Sequence, residues 1–301
     1  MAMKSVMPLY KADDYSSLNP IEEAIAVNLR EKGYAILESM FDDDLLDRVV
    51  RECESEYNNN SKHNNENRRV ADGWRSMESV SEVACDPRII TLLSKIYGKR
   101  AFPFQTLNFE RGTEQRLHSD TIHFNSIPNF FMTGVWVALE DVTLDNGPLA
   151  YIENSHKLPM FNCDSAGIRP VSPKEDPYLN YGDYEDFVEE MVNSISKGPK
   201  LVEMKKGDVF IWSANLIHGG SPIIKEDSSR LSQVTHYFYD DCVYFTPLSS
   251  DLRDAKVHLR MPVDISTKSR TSMWKLIASM KAYGFSATSI LRSLIYSKFG
   301  I

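Results

Sequence analysis

Apolar residues recur at helical spacing in the first third of the chain and at strand spacing in the middle. Ile21, Ile25 and Leu29 fall four apart, which predicts a helix over 20–32 with one apolar stripe. Pro20 sits in its first turn, acids follow, and Gly33 stops it. A short strand follows at 34–37. Leu45, Leu46, Val49 and Val50 predict a helix over 43–57, and residues 87–97 a further one closed by Gly98. The polar, Asn-rich stretch 58–69 reads as a loop, either an active-site lid or a solvated connection.

Near residue 100 the period drops from helical to two. Strands are predicted near 102–110, 132–139, 149–153, 200–204, 208–213 and 230–239. Asn146-Gly147-Pro148 and Lys206-Gly207-Asp208 mark turns. Residues 160–199 interrupt the strands with Pro170, Pro173 and Pro177 and a helical stretch at 184–192, and read as an insertion over the mouth of the core. The pattern predicts a mainly β protein with flanking helices: a β-sandwich or jelly-roll core behind an N-terminal helical layer. One domain is expected over 1–301, with helical support at 1–99, the core at 100–240 and a helical extension at 241–301.

Composition narrows the function classes. A net charge of −8 disfavours a phosphate backbone, so nucleic acid is not an expected partner. The charge is uneven, because residues 252–301 carry nine Lys or Arg against two Asp. No 18-residue apolar run is present, and the first residues lack an apolar leader, so a cytoplasmic protein without a transmembrane helix is expected. Cys53, Cys85, Cys163 and Cys242 form no CxxC pair and are expected to be buried free thiols.

Candidate chemistry concentrates at His118-Ser119-Asp120. The pair follows a strand-like run, and side chains two apart on extended backbone face one way. His218 follows the strand at 208–213 and precedes Gly219-Gly220. Two imidazoles and one carboxylate suit ferrous iron and leave three coordination positions open. Arg230 opens the strand at 230–239, where Arg230, Ser232, Val234 and His236 share a face. Its planar fork suits a buried carboxylate such as the far end of 2-oxoglutarate, and Ser232 adds a donor.

The run from Gly112 to Phe124, which contains Leu117-His118-Ser119-Asp120, resembles the phytanoyl-CoA dioxygenase (PhyH-like) family. So do Val135-Trp136-Val137-Ala138-Leu139, Asn146-Gly147-Pro148-Leu149, Ser155-His156-Lys157 and Gly207-Asp208-Val209-Phe210-Ile211 through His218-Gly219. The resemblance covers roughly residues 100–240. It implies a double-stranded β-helix and an oxygenase that uses Fe(II), 2-oxoglutarate and O2. It assigns His118, Asp120 and His218 to the metal and Arg230 with Ser232 to 2-oxoglutarate. It places Trp136 in the co-substrate pocket, with Gln105 and Asn108 as further candidates. Asp120 favours oxygen insertion over halogenation, since related halogenases carry a small residue there.

The expected reaction is hydroxylation of an unactivated C–H bond in a small-molecule or carrier-linked substrate, with release of succinate and carbon dioxide. A cupin-like metalloenzyme that does not use 2-oxoglutarate and a non-catalytic binding module are the alternatives. His123 and His236 could approach substrate or metal, His156 reads as structural, and Trp74 with Arg75 could line a pocket. The basic tail shows apolar stripes at Met273, Ile277 and Met280 and at Ile290, Leu291, Leu294 and Ile295, interleaved with Lys275, Lys281, Arg292 and Lys298. It either docks on the acidic body or recruits an anionic partner.

Overall fold

The structure, a computed structural model, describes residues 7–12, 15–62, 69–176 and 178–300. Helix α1 (Pro20–Lys32) is capped by Asn19, whose side chain accepts from the Ile21 and Glu22 amides while Glu22 accepts from the Asn19 amide. Its buried stripe is Ile25, Ala26 and Leu29, and Ile21 is exposed. The expected stripe is rotated because Glu22 turns inward to meet Lys95 at 2.7 Å.

Strand β1 (Tyr34–Leu37) leads to α2 (Asp43–Lys62), which buries Leu46, Val49, Cys53 and Tyr57. This helix continues through 58–62, so the loop expectation fails there, and 63–68 lie outside the described residues. Strand β2 (Arg69–Ala71) and helix α3 (Glu78–Ala84) were not legible in the sequence, being only three and seven residues long. Helix α4 (Pro87–Tyr97) is capped by Asp86 and closed by Gly98.

The core strands are β3 (Ala101–Phe109), β4 (Asn125–Ile127), β5 (Met132–Ala138) and β6 (Leu149–Tyr151). After α5 (Tyr181–Ile195) come β7 (Lys200–Val202), β8 (Val209–Ser213), β9 (His218–Gly220), β10 (Ser232–Tyr239) and β11 (Val243–Phe245). The major sheet is antiparallel in the order β1-β8-β5-β10-β3-β2, and the minor sheet runs β7-β6-β9. Non-sequential neighbours throughout give the double-stranded β-helix arrangement.

Two-residue alternation sorts the major sheet's side chains. Val135, Val137, Val209 and Ile211 face the helices and join their core. Trp136, Ala138, Phe210 and Trp212 face the minor sheet and pack with Leu149, Tyr151 and Val202. The site lies on this second face.

The C-terminal hairpin β12 (Val263–Asp264) and β13 (Ser269–Arg270) precedes α6 (Met273–Ala282) and α7 (Ala287–Phe299). These helices bury Leu276, Met280 and Ile290 against Val243, Phe245, Val257 and Leu259, so the tail is docked. The expected stripes are out of phase in part: Met273, Leu291 and Ile295 are exposed, and Leu276, Ser293 and Tyr296 take the inward places. All four cysteines are free, but Cys85 is only half-buried. No described helix is long and apolar enough to cross a membrane.

Candidate metal and co-substrate site

Backbone pairing builds the candidate metal centre. The amide of His118 donates to the His218 carbonyl, and that of His218 to the His118 carbonyl, both at 2.9 Å. The two imidazoles are thereby held side by side, with ring centroids 4.7 Å apart. Gly219 permits this approach, since a Cβ there would lie 2.6 Å from the Gln115 carbonyl oxygen.

Asp120 opens a short 3-10 turn (Asp120–Ile122) directly after His118. Its carboxylate lies 3.8 Å from His118 Nε2 and 3.9 Å from His218 Nε2. One donor atom from each of the three residues lies within 4.8 Å of the others, and all three residues are buried.

The surroundings fix which atoms face inward. His118 Nδ1–H donates to the Arg116 carbonyl at 2.9 Å and His218 Nδ1–H to the Leu216 carbonyl at 3.0 Å. Both Nε2 lone pairs are therefore free for a metal, the arrangement usual for ligating histidines. Burial lowers His118 to about 4, which keeps it neutral near pH 7. Burial pushes Asp120 up, but His218, His236 and His118 outweigh it and hold the carboxyl well below the usual range.

Trp212 Nε1–H donates to Asp120 Oδ2 at 2.8 Å. It reaches there because β5 carries Gly134 opposite it: a Cβ at that position would sit 2.0 Å from the indole ring. His236 Nε2 lies 3.6 Å from the same carboxylate, and its Nδ1 meets Gln105 Oε1 at 3.0 Å.

Arg230 is buried just before β10. Its guanidinium donates to Ser232 Oγ at 3.3 Å and to the Arg111 carbonyl at 3.4 Å, and Nε is buried with no partner. Phe109 and Trp136 flank it, with ring centroids 5.8 and 5.3 Å from the guanidinium carbon. Burial lowers it to about 10, and Glu140 opposes that shift. Leaving a buried guanidinium short of acceptors is costly unless a ligand supplies them.

One cavity of about 830 Å3 joins these groups, lined by His118, Asp120, His218, Trp136, Arg230 and Gln105 among others. Asn108 is not among the lining residues. It sits on the opposite face of β3, where its Nδ2 donates to Gln233 Oε1 at 3.0 Å, and Gln233 in turn donates to the Val80 carbonyl. The two-residue alternation that puts Gln105 in the cavity sends Asn108 toward the helices. His123 lines the cavity against Tyr181, with ring centroids 4.8 Å apart, and burial lowers it to about 3. Tyr178, Tyr181 and Glu185 bring the 160–199 segment over the same space. His156 is structural, its Nε2 meeting the Arg30 carbonyl at 2.9 Å. Trp74 packs on the helical core under Arg75, away from the cavity.

The family model for phytanoyl-CoA dioxygenase (PhyH) matches residues 29–231. The chain belongs to this family. It is accordingly an oxygenase that depends on iron and 2-oxoglutarate. No curated protein matches the sequence. Among solved structures, EctD from S. alaskensis with 2-oxoglutarate and 5-hydroxyectoine superposes with a TM-score of 0.58 at 16% identity, covering 80% of this chain and 84% of that one. The epimerase SnoN in complex with Fe3+, alpha ketoglutarate and nogalamycin RO gives 0.53 at 19% identity, covering 74% and 86%. Iron-bound HygX from Streptomyces hygroscopicus gives 0.52 at 14% identity, covering 74% and 87%. At these identities the superpositions establish the shared fold.

The donor set fits the metal. Two imidazole nitrogens and a carboxylate are the facial set of non-heme iron(II) oxygenases, and bonds of about 2.0–2.3 Å let atoms at these separations close on one ion. The orphaned Nε of Arg230 fits a dicarboxylate. Sequence reasoning missed Trp212 and Gly134. Their signal was the alternation of Phe210 and Trp212, which points both side chains to the site face.

Proposed function

We propose that His118, Asp120 and His218 hold iron(II), that Arg230 and Ser232 bind the far carboxylate of 2-oxoglutarate, and that the enzyme hydroxylates an unactivated C–H bond of a small molecule. The supporting observation is the mutual backbone pairing of His118 and His218, which turns both free Nε2 atoms toward Asp120. Iron with 2-oxoglutarate and dioxygen supplies the oxidising power, releasing succinate and carbon dioxide. The chain's own groups do the positioning. Trp212 holds one oxygen of Asp120, Trp136 and Phe109 wall the Arg230 pocket from water, and Tyr178, Tyr181 and His123 line the remaining space for substrate.

The unsatisfied Arg230 favours this reading over a cupin-like enzyme that does not use 2-oxoglutarate and over a non-catalytic module. Hydroxylation is tested by mass spectrometry of the product formed from a metabolite extract alongside succinate. A product with one added oxygen atom supports it. A product that has lost two hydrogens, or has unchanged mass, replaces it with desaturation, ring closure or epimerisation. The epimerase SnoN shows that this fold is not tied to one outcome.

A carrier-linked substrate or an anionic partner at the tail has support only from the charge of Lys275, Lys281, Arg292 and Lys298, all exposed. Replacing the four by Gln leaves turnover of a free small molecule unchanged, and selective loss of turnover on a carrier-bound one would support the carrier.

A further inference from the structure

Besides Arg230, the cavity is lined by Arg69, Arg116 and Arg260; Arg116 is paired with Asp186 and Glu189, whereas Arg260 has no part in the function proposed for the cavity. Arg260 lies beyond the residues matched by the family model. Its segment runs beside β11: the Arg260 amide donates to the Tyr244 carbonyl at 2.8 Å and the Thr246 amide to the His258 carbonyl at 3.0 Å. From the other side, α7 braces the segment through Ser297, which accepts from the Leu259 amide at 2.8 Å and donates to the Val257 carbonyl at 3.0 Å. The docked tail therefore holds Arg260 in place.

The guanidinium lines the same cavity as the triad and lies over the Phe124 ring, 4.8 Å from its centroid. Nη1 donates to Thr246 Oγ1 at 3.1 Å. Among the described residues no carboxylate comes within ion-pair distance. The acid that acts on Arg260, Asp72, is engaged by Arg75 at 3.3 Å. Burial lowers the guanidinium only to about 10, so it is charged at neutral pH. Arg260 is half-buried, and its guanidinium keeps donors beyond the one given to Thr246 that face the cavity without an acid to meet them.

Position separates Arg260 from the 2-oxoglutarate end. Phe124, which carries it, packs on His236 with ring centroids 5.1 Å apart. His236 is six residues along the strand from Arg230, roughly 20 Å at about 3.4 Å per residue. The two cations therefore serve different ends of the cavity, with Asp120 reached from the His236 end.

We propose that Arg260, with the Thr246 hydroxyl beside it, binds an oxyanion of the substrate and so selects anionic small molecules. This rests on the functional reading above, in which the cavity receives substrate. A carboxylate, sulfate or phosphate supplies the charge and the acceptors that Arg260 lacks, and a guanidinium fork takes such groups through two parallel hydrogen bonds. Thr246 accepts from Arg260 and keeps its own proton to donate.

The test uses full-length protein loaded with Mn(II) and 2-oxoglutarate, titrated calorimetrically with benzoate, phenyl phosphate and neutral benzamide. Wild type binds at least one of the anions about tenfold or more tightly than benzamide, the scale of a hydrogen bond to a charged group. The tighter of the two separates a carboxylate from a phosphate preference. Arg260→Gln removes the preference and leaves benzamide and 2-oxoglutarate binding unchanged. Thr246→Val, which keeps the charge, weakens the anion several-fold and carries the test if Arg260→Gln fails to fold. The proposal is overturned if wild type prefers neither anion, if Arg260→Gln or Thr246→Val keeps the full preference, or if Arg260→Gln weakens 2-oxoglutarate. Failure of wild type to bind 2-oxoglutarate with Mn(II) would instead count against the functional reading, and it is seen in a separate titration.

Discussion

The two ends of the cavity are built by different means. At the candidate iron and co-substrate end, strand pairing sets His118 against His218 and Trp212 against Gly134, Arg230 and Ser232 stand just before and at the start of β10, and Asp120 comes from a 3-10 turn beside His118. At the other end, Tyr178 and Tyr181 come from the 160–199 segment and Arg260 from a segment braced by the C-terminal helices. The first end is tied together by backbone pairing between His118 and His218. The second is assembled from parts that can differ without disturbing the metal. If the first end carries the chemistry and the second the substrate choice, substitutions at each end should have separable effects.

The largest effect is expected at the ligands. Asp120→Ala should lower iron affinity by more than about 100-fold, exceeding what loss of a supporting residue costs. Metal content after dialysis measures it, and retention of iron would break the assignment. Arg230→Gln comes next. Losing the buried partner of a carboxylate costs about 3–5 kcal/mol, so 2-oxoglutarate should bind roughly 100-fold or more weakly while iron binding holds. Arg230→Lys should not restore it, for want of the planar fork.

Trp212→Phe removes the donor to Asp120 and should lower iron affinity about 10- to 100-fold, read by competition with a chelator. Asn108→Ala acts from the helical side of β3. It leaves Gln233 without its donor and should cost about 1–3 kcal/mol in denaturant unfolding, with 2-oxoglutarate affinity unchanged.

The remaining effect concerns pH. Burial lowers His258 to about 4 and His123 to about 3, whereas the unfolded chain takes up protons on histidine near pH 6.5. Below about 6.5 the unfolded state binds more protons, so stability falls as pH drops toward 4. The denaturation midpoint of the metal-free protein should therefore be lower at pH 5 than at pH 7, and His258→Asn should narrow the gap.

Legibility in the sequence followed the same division. The strands around the candidate metal site could be read because β5 and β8 are apolar but for Thr133 and Ser213, and because His118, Asp120, His218 and Arg230 carry the chemistry of a metal and carboxylate site in that order. Asn108 was misplaced because a register of two decides its face, and sequence alone did not weigh Gln105 against its neighbours. The rotation of α1 came from a distant partner, Lys95, which no local stripe reveals. Arg260 was hidden among nine basic residues of the tail, and only the pairing of its segment with β11 brings it to the cavity.

Joint binding of iron by the buried triad and of 2-oxoglutarate by the buried Arg230 is read by anaerobic titration of the iron(II) protein with 2-oxoglutarate, followed by visible absorption. A weak charge-transfer band that requires both components, and that is lost in Arg230→Gln while iron stays bound, is the expected result. Iron bound by wild type with no such band at saturating 2-oxoglutarate would contradict it.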